Sequence, residues 1–385
     1  MEIQYEFISR IESLYSKLQD DLSRKIFWAR LKCDISFSLS HIFDLFSLSG
    51  YLSKEEVEYK NRWKEDVSKL ITSGKKIILY GAGACGKMLA EGLLADGCDF
   101  YAFCDKKAAT DFADIMIMNK PIISPEYLFE NADDCYVIIS TRDYRAEVTQ
   151  YLEENEFHKD HILNHFDKLI SDVVKYCDTQ YFCFPEYFEN NTALIDAGCF
   201  DGQDSIYFAN WCKGKYSKII AFEPDEKNYE ICRKNFEQQK IQNIELIKAG
   251  LSADGKEKRF ISSDTNGYSN YMIDEEKVGN ASIGIHNKFD IVQTIKTVTL
   301  DALTKDIKVG FIKMDIEGAE LNALHGAKET IKRDYPFLAI SVYHRKGDLL
   351  AIMDFINAIN PEYKFFLRHH GDMAFETVLY AAIVN

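Results

Sequence analysis

Two glycine-rich stretches, each set between an apolar run and a helical pattern, hold the residues most able to do chemistry. The later one reads Asp196-Ala-Gly198-Cys-Phe-Asp201-Gly202; it follows Ala193-Leu-Ile195 and leads into a helix at Ser205. The next apolar run, Lys218 to Phe222, ends at Glu223-Pro224-Asp225, and a third, Ile244 to Lys248, ends at Ala249-Gly250-Leu251. One acid therefore precedes the first glycine by two positions, a second adjoins the last glycine, and Glu223 follows 21 residues after Gly202. Carboxylates around a helix N-terminus repel a pyrophosphate. They suit a ligand that carries an ammonium and a sulfonium but no phosphate, which is S-adenosylmethionine. The glycines then allow close passage of the backbone along its methionine part, and Glu223 accepts both ribose hydroxyls, as strand-end acids do in nucleotide-binding crossovers.

The earlier stretch is chemically different. Ile77-Ile-Leu-Tyr80 runs into Gly81-Ala-Gly83-Ala-Cys-Gly86, then into a helix with Leu89, Leu93 and Leu94 on one face, and Asp105 stands 19 residues beyond Gly86. This is a βαβ unit with complete G-x-G-x-x-G spacing. Gly81, Gly83, Gly86 and Asp105 form a candidate second nucleotide site; the alternative is a scaffold whose glycines serve only the turn. With the buried run Tyr136 to Ser140 and the PIISPEYL stretch from Pro121 to Leu128, this region resembles the small Rossmann-like modules of bacterial sugar and polysaccharide biosynthesis proteins. No Tyr-x-x-x-Lys pair lies near the loop, which speaks against an oxidoreductase or epimerase. His158, His161 and His165 lie within eight residues, but no Glu or Cys completes a ligand set, so no metal is expected there.

The most informative segment is Val309-Gly-Phe-Ile-Lys-Met-Asp315-Ile-Glu317-Gly318-Ala-Glu320, a buried strand entering a helix. Together with the Asp-x-Gly-x-x-x-Gly loop, the FEPD strand end, the VTLDAL stretch at Val298 to Leu303 and the closing segment Tyr363 to Ala382, it resembles the FkbM family of methyltransferases. The resemblance spans roughly residues 190 to 385. It implies a class I methyltransferase fold, α/β, with a seven-stranded and mostly parallel sheet whose terminal strand is antiparallel. It also implies methyl transfer from S-adenosylmethionine to a hydroxyl oxygen of a glycan, nucleotide-sugar or other small molecule. The expected cofactor-binding residues are Asp196, Gly198, Asp201, Gly202, Glu223, Gly250 and Asp315. An alcohol must lose its proton as its oxygen is methylated, so a positioned base is needed. Asp315, Glu317, His344, His369 and His370 are the candidates, at strand ends or in the closing hairpin. His344 is expected to be the base, since an imidazole titrates near neutrality. The sequence departs from many relatives at Ser341-Val-Tyr343-His344, where a Glu precedes the His in those proteins.

The remaining sequence must position these groups. Ile11, Leu14, Leu18, Leu22 and Ile26 recur at helical spacing, and Ser53 with Glu56 forms a capping box for a later helix ending at Gly74. The expected organisation is a helical segment over 1–72, a Rossmann-like domain over 73–170, a linker over 171–190 and the methyltransferase domain over 191–385. Ser252 to Lys296 is polar and reads as an insertion, either roofing the acceptor site or forming a surface hairpin. With 46 basic residues against 61 acidic ones, a formal charge of −15 opposes nucleic-acid binding. Ten scattered cysteines without a CxxC pair read as reduced thiols. The amino terminus lacks a signal pattern and no run reaches membrane-spanning length, so a cytoplasmic protein is expected. The helical segment is a candidate for homo-oligomer contacts. Two other functions fit the sequence: a non-catalytic module binding S-adenosylmethionine or a nucleotide, and an NAD-dependent sugar-modifying enzyme acting through the first loop.

Overall fold

The computed structural model describes residues 2–49, 65–66, 68–108, 116–141, 144–164, 180–263, 271–273, 290–371 and 374–384. The chain forms two compact units. One comprises Met1–Leu31, Tyr176–His370 and Phe375–Asn385; the other comprises Lys32–Lys175 with Gly371–Ala374. These units divide the chain differently from the expected boundaries, because the first helices and residues 180–188 fold with the carboxy-terminal sheet. Helix α1 (Glu2–Ser16) and the first three turns of α2 (Asp21–Ile35), as far as Leu31, belong to that unit.

The smaller unit holds α3 (Leu39–Phe46), β1 (Lys76–Tyr80), α4 (Ala84–Ala95), β2 (Ala102–Cys104), β3 (Met116–Ile117), β4 (Lys120–Ile123), α5 (Pro125–Glu130), β5 (Cys135–Ile139), α6 (Arg145–Glu154) and β6 (Ile162–Asn164). Its sheet has the order β3-β4-β2-β1-β5-β6, parallel except for the β3–β4 hairpin. Buried Ile78, Val137 and Ile139 on the strands meet Val148 and Leu152 of α6, which is why these strands read as continuous apolar runs. The capping box at Ser53 and Glu56, and His165, lie outside the described residues. Residues 68–72 are helical, and the chain leaves that helix through Gly74 at φ +68°.

The larger unit contains β7 (Ala193–Ala197), α7 (Gln203–Trp211), β8 (Lys218–Phe222), α8 (Glu226–Gln239), β9 (Ile244–Ile247), β10 (Gly250–Leu251), β11 (Lys258–Ser263), β12 (Tyr271–Ile273), β13 (Asp290–Ile295), β14 (Thr297–Val298), α9 (Leu300–Leu303), β15 (Val309–Met314), α10 (Glu320–His325), α11 (Lys328–Asp334), β16 (Phe337–Ser341), α12 (Asp348–Ile359), β17 (Tyr363–His369) and β18 (Thr377–Ile383). Seven strands pair in the order β17-β18-β16-β15-β7-β8-β9. Strands β16, β15, β7, β8 and β9 are parallel, and β18 runs antiparallel to both neighbours. This is the class I methyltransferase arrangement expected from the sequence.

The amphipathic pattern over residues 11–26 does not make one helix. It breaks at residues 17–20, where the backbone pairs with edge strand β17: Gln19 N–H donates to Phe365 O and Phe365 N–H to Lys17 O, both at 3.1 Å. Asp20 restarts the helix by accepting the Ser23 N–H at 2.7 Å, and its carboxylate also pairs with Arg368. The break covers a sheet edge that would otherwise present unpaired groups. It also leaves Leu22 outside while Leu14, Leu18 and Ile26 are buried.

Residues 180–188 are likewise no linker. Phe182 packs its ring on Tyr207, Phe208, Trp211 and Phe311, and Phe184 packs on Phe337, Phe366 and Tyr380.

Candidate active site

The parallel strands end in a row, and their order fixes what each end can offer. From β9 across β8 and β7 to β15, the ends carry Ala249, Glu223, Gly198 and Asp315. All four line one cleft, together with Phe200, Asn228, Leu251 and Glu317. One end of the cleft is apolar: Leu251 meets Phe260 and Met272, which are cross-strand partners in the antiparallel sheet β12-β11-β13. The inserted segment thus contributes a wall to this cleft; its centre at Gly267 and Tyr268 lies outside the described residues.

Glu223 is buried, and each carboxylate oxygen accepts one backbone N–H, from Phe200 at 3.1 Å and from Asp225 at 2.9 Å. Each oxygen keeps a further lone pair for a ligand. Burial pushes this carboxyl up to about 7 despite those two hydrogen bonds.

The acids of the glycine loop do something other than meet a ligand. Asp196 is buried, accepts the Ser205 hydroxyl at 2.6 Å and pairs with Lys313 at 3.1 Å. Lys313 reaches Asp204 at 3.1 Å and donates to the Gly198 carbonyl at 2.7 Å. With two ion pairs and one hydrogen bond, the ammonium ties β15 to the loop. Burial opposes the charge on Lys313, but Asp196, Asp204 and Asp315 more than offset it, and its pKa rises. Asp204 is itself pushed up to about 6 by burial, which Lys313 only partly offsets. Asp201 accepts the N–H of Gln203, and neither Asp196, Asp201 nor Gly202 lines the cleft. Gly202 has φ +82°, and a Cβ there would stand 2.5 Å from the Phe236 ring. Gly198 has φ +78°, and its Cβ would stand 1.9 Å from the Asp315 carbonyl oxygen. Both glycines therefore admit protein atoms; Gly198 also lines the cleft, as expected from the sequence, whereas Gly202 does not.

At the far end of the row, one histidine lies among acids. His344 Nδ1 is 2.9 Å from Glu320, and its Nε2 is 3.3 Å from Asp315 and 3.6 Å from Glu317. Burial alone would lower its pKa, but Glu320, Asp315 and Glu317 together raise it to about 10. An imidazolium has no lone pair with which to take a proton. The structure thus argues against the expectation that His344 is the base. Asp315 would be raised by burial, yet His344, Lys313 and the Tyr181 hydroxyl hold it below the usual carboxylate range. Tyr181 donates to it at 2.6 Å, and Tyr343 lies 3.3 Å away. Glu317 sits at φ +56° before Gly318 at φ +90°, a left-handed pair that turns the chain beside the cleft. Its side chain is 40% exposed, and its carboxyl is pushed up to about 8 by burial. Glu376, beside Tyr343 and Gln180, is pushed up to about 7 for the same reason.

His369 and His370 do not join this group. Both are buried, hydrogen-bonded to Thr377 and Tyr380 respectively at 2.9 Å, and neither lines the cleft. Burial lowers His370 to about 4, so it is neutral near pH 7. In the smaller unit, a Cβ on Gly86 would stand 2.0 Å from the Gly81 carbonyl, whereas one on Gly83 meets nothing within 4 Å. Asp105 accepts from Lys107 at 3.0 Å, within its own loop, and from Ala82 of the glycine loop at 3.4 Å. His158 pairs with Asp133 at 2.8 Å.

Sequence reasoning missed Asp204, Tyr181, Tyr343, Glu320 and Glu376. Glu320 stood in the recognised Asp315 to Glu320 segment, so its place on the first turn of α10 was available. Tyr181 and Glu376 come from distant segments, and no local spacing announces them.

Residues 196–371 match the family model described as the methyltransferase FkbM domain. No curated protein matches the chain. Among solved structures, a methyltransferase FkbM from Methylobacillus flagellatus KT is 17% identical, with a TM-score of 0.46 over 94% of this chain and 99% of that one. A putative methyltransferase from Streptococcus mutans, solved in complex with SAH, is 14% identical, with a TM-score of 0.33 over 55% of this chain and 97% of that one. An O-methyltransferase from Bacillus cereus, also in complex with SAH, is 14% identical, with a TM-score of 0.32 over 67% and 96%. The stretch that builds the row of strand ends from Gly198 to Asp315 is thus a methyltransferase domain of the FkbM family.

Proposed function

We propose that the larger unit transfers a methyl group from S-adenosylmethionine to a hydroxyl oxygen of a glycan, nucleotide-sugar or other small molecule. The observation that carries this reading is the single cleft in which Glu223, Gly198 and Asp315 end successive strands above an apolar wall. The residues fit the cofactor in order. Leu251, Phe260 and Met272 offer an apolar surface for the adenine, Glu223 offers free lone pairs for ribose hydroxyls, and Asp315 offers a negative charge for the methionine end. S-adenosylmethionine, when bound, supplies a methyl group already activated by its sulfonium.

The chain's own residues then have three tasks. Lys313, through Asp196, Asp204 and the Gly198 carbonyl, holds the loop in place. Asp315 stays ionised beside the cleft, where its low pKa makes it a poor base. Glu317 lines the cleft, is partly open to solvent, and takes the hydroxyl proton when ionised, a state that its pKa of about 8 makes the major one only in mildly alkaline solution. His344, as an imidazolium held by Glu320, keeps these two carboxylates apart from each other's repulsion.

Isothermal titration of the full chain with S-adenosylmethionine and S-adenosylhomocysteine tests the cofactor half of this reading, and absence of binding to both removes it. Mass spectrometry of extracts incubated with methyl-labelled cofactor tests the acceptor half. Label on nitrogen or carbon and not on oxygen would overturn the hydroxyl assignment.

A further inference from the structure

We infer that Tyr181, which lies ahead of the matched range 196–371, is a positioning residue that holds Asp315 toward the cationic end of the cofactor. The inference rests on the cofactor reading above. Its basis is a directed chain of donors. Gln180 Nε2 has two protons; one is donated to the Tyr181 oxygen at 3.0 Å and the other to Glu376 at 2.5 Å. The Tyr181 oxygen is thus already an acceptor, and its own proton goes to Asp315 Oδ2 at 2.6 Å. The backbone carbonyl of Gln180 is held in turn by the Tyr380 hydroxyl. On its other side, the Tyr181 ring lies 5.0 Å from the Lys313 ammonium, which the loop acids fix in place.

The geometry has one chemical consequence. The phenol fills one lone-pair direction of the Asp315 carboxylate from the protein side. Tyr181 is itself buried, which pushes its pKa upward, so it acts only as a neutral donor. A carboxylate held this way cannot turn away from the cleft it lines, and it keeps its charge. Two residues upstream of the family domain therefore belong to the site.

The test compares a cationic ligand with its neutral counterpart. The full chain and its Tyr181→Phe variant are titrated with S-adenosylmethionine and with S-adenosylhomocysteine between about pH 3.5 and 8.5, a range that spans the reference values of carboxylates and imidazoles. Phenylalanine keeps the ring packing and removes only the donor. The variant should bind the sulfonium ligand about tenfold more weakly, roughly the value of one charge-assisted hydrogen bond, with a smaller change for the neutral thioether. Without the phenol the Asp315 pKa rises, so this preference should fade at a higher pH in the variant than in the parent chain. Equal losses for both ligands at every pH would mean packing damage alone and overturn the inference, as would unchanged affinities. If the parent chain binds neither ligand, the cofactor reading falls and this inference with it. If Tyr181→Phe does not fold, Gln180→Met removes the donor that aims the phenol and should shift the ligand ratio in the same direction; an unchanged ratio there overturns the inference.

Discussion

Two residues show how far burial rewrites ordinary acid–base expectations. Glu223 holds two backbone N–H groups and keeps lone pairs for a ligand, so Glu223→Gln, which can accept from only one of those groups, should lower stability somewhat and weaken S-adenosylhomocysteine binding by about 1.5–3 kcal/mol, the usual loss for a hydrogen bond to a charged group. Calorimetry reads this directly, and an unchanged Kd would free Glu223 of its ribose role. His344 behaves oppositely to a free imidazole. Its folded pKa, about 10, exceeds the unfolded reference near 6.5, so its stabilising contribution is complete below about pH 6.5 and fades as pH climbs through 10. NMR of the ring nitrogens should find the imidazolium intact at pH 8. His344→Ala should cost about 3 kcal/mol or more at pH 7, because it leaves the fully buried Glu320 without its partner. A ring that titrates near 6.5 would return His344 to the role of base. The sequence could place this histidine at a strand end, but it could not show three acids around it, because Asp315, Glu317 and Glu320 reach it from the β15–α10 turn only once β16 lies alongside β15.

At the scale of elements, the strands and their end residues were legible because each carries its signal within a few positions. The apolar runs at Ala193, Lys218 and Val309 became β7, β8 and β15, with Glu223 and Asp315 just beyond two of them. What was not legible depends on partners far along the chain. The helical face of residues 11–26 is interrupted because its backbone pairs with β17, some 345 residues later, and no local pattern records that edge. The aromatic segment around Phe182 read as a linker because its rings find partners on α7, β15, β16, β17 and β18, all far along the chain. Phe182→Ala should therefore destabilise the larger unit by about 3–5 kcal/mol, as for other fully packed aromatic truncations. Urea denaturation gives the number, and a cost under about 1 kcal/mol would restore the linker description. Gly198 marks a case where the sequence signal was right and its reason was different. The position demands glycine because β15 runs too close for any Cβ, so the loop's fingerprint records strand packing as much as ligand contact.

For the whole molecule, the question is why one chain carries two glycine loops and which of them serves methyl transfer. Every residue lining the cleft belongs to the larger unit, and the loop from Gly81 to Gly86 belongs to the smaller one. No described helix in either is long and apolar enough to cross a membrane. The two loops also differ in charge. The later one shares its cleft with Glu223, Asp315 and Glu317, while the earlier one has no acid between Gly81 and Gly86, and Asp105 accepts the N–H groups of Ala82 and Lys107. A cationic cofactor should therefore use only the later loop, and a variant that blocks the earlier loop should leave its affinity untouched. Gly83 is the position for that variant. Its φ of −76° suits any L-residue, and a Cβ there meets nothing within 4 Å, so Gly83→Val alters the loop's surface without straining the fold. Titration of Gly83→Val with S-adenosylhomocysteine should return the parent Kd within about twofold, less than 0.5 kcal/mol on the affinity scale. A tenfold loss in a variant with an unchanged Tm would assign the cofactor to the smaller unit, and the negative charge around Gly198 would then need another purpose.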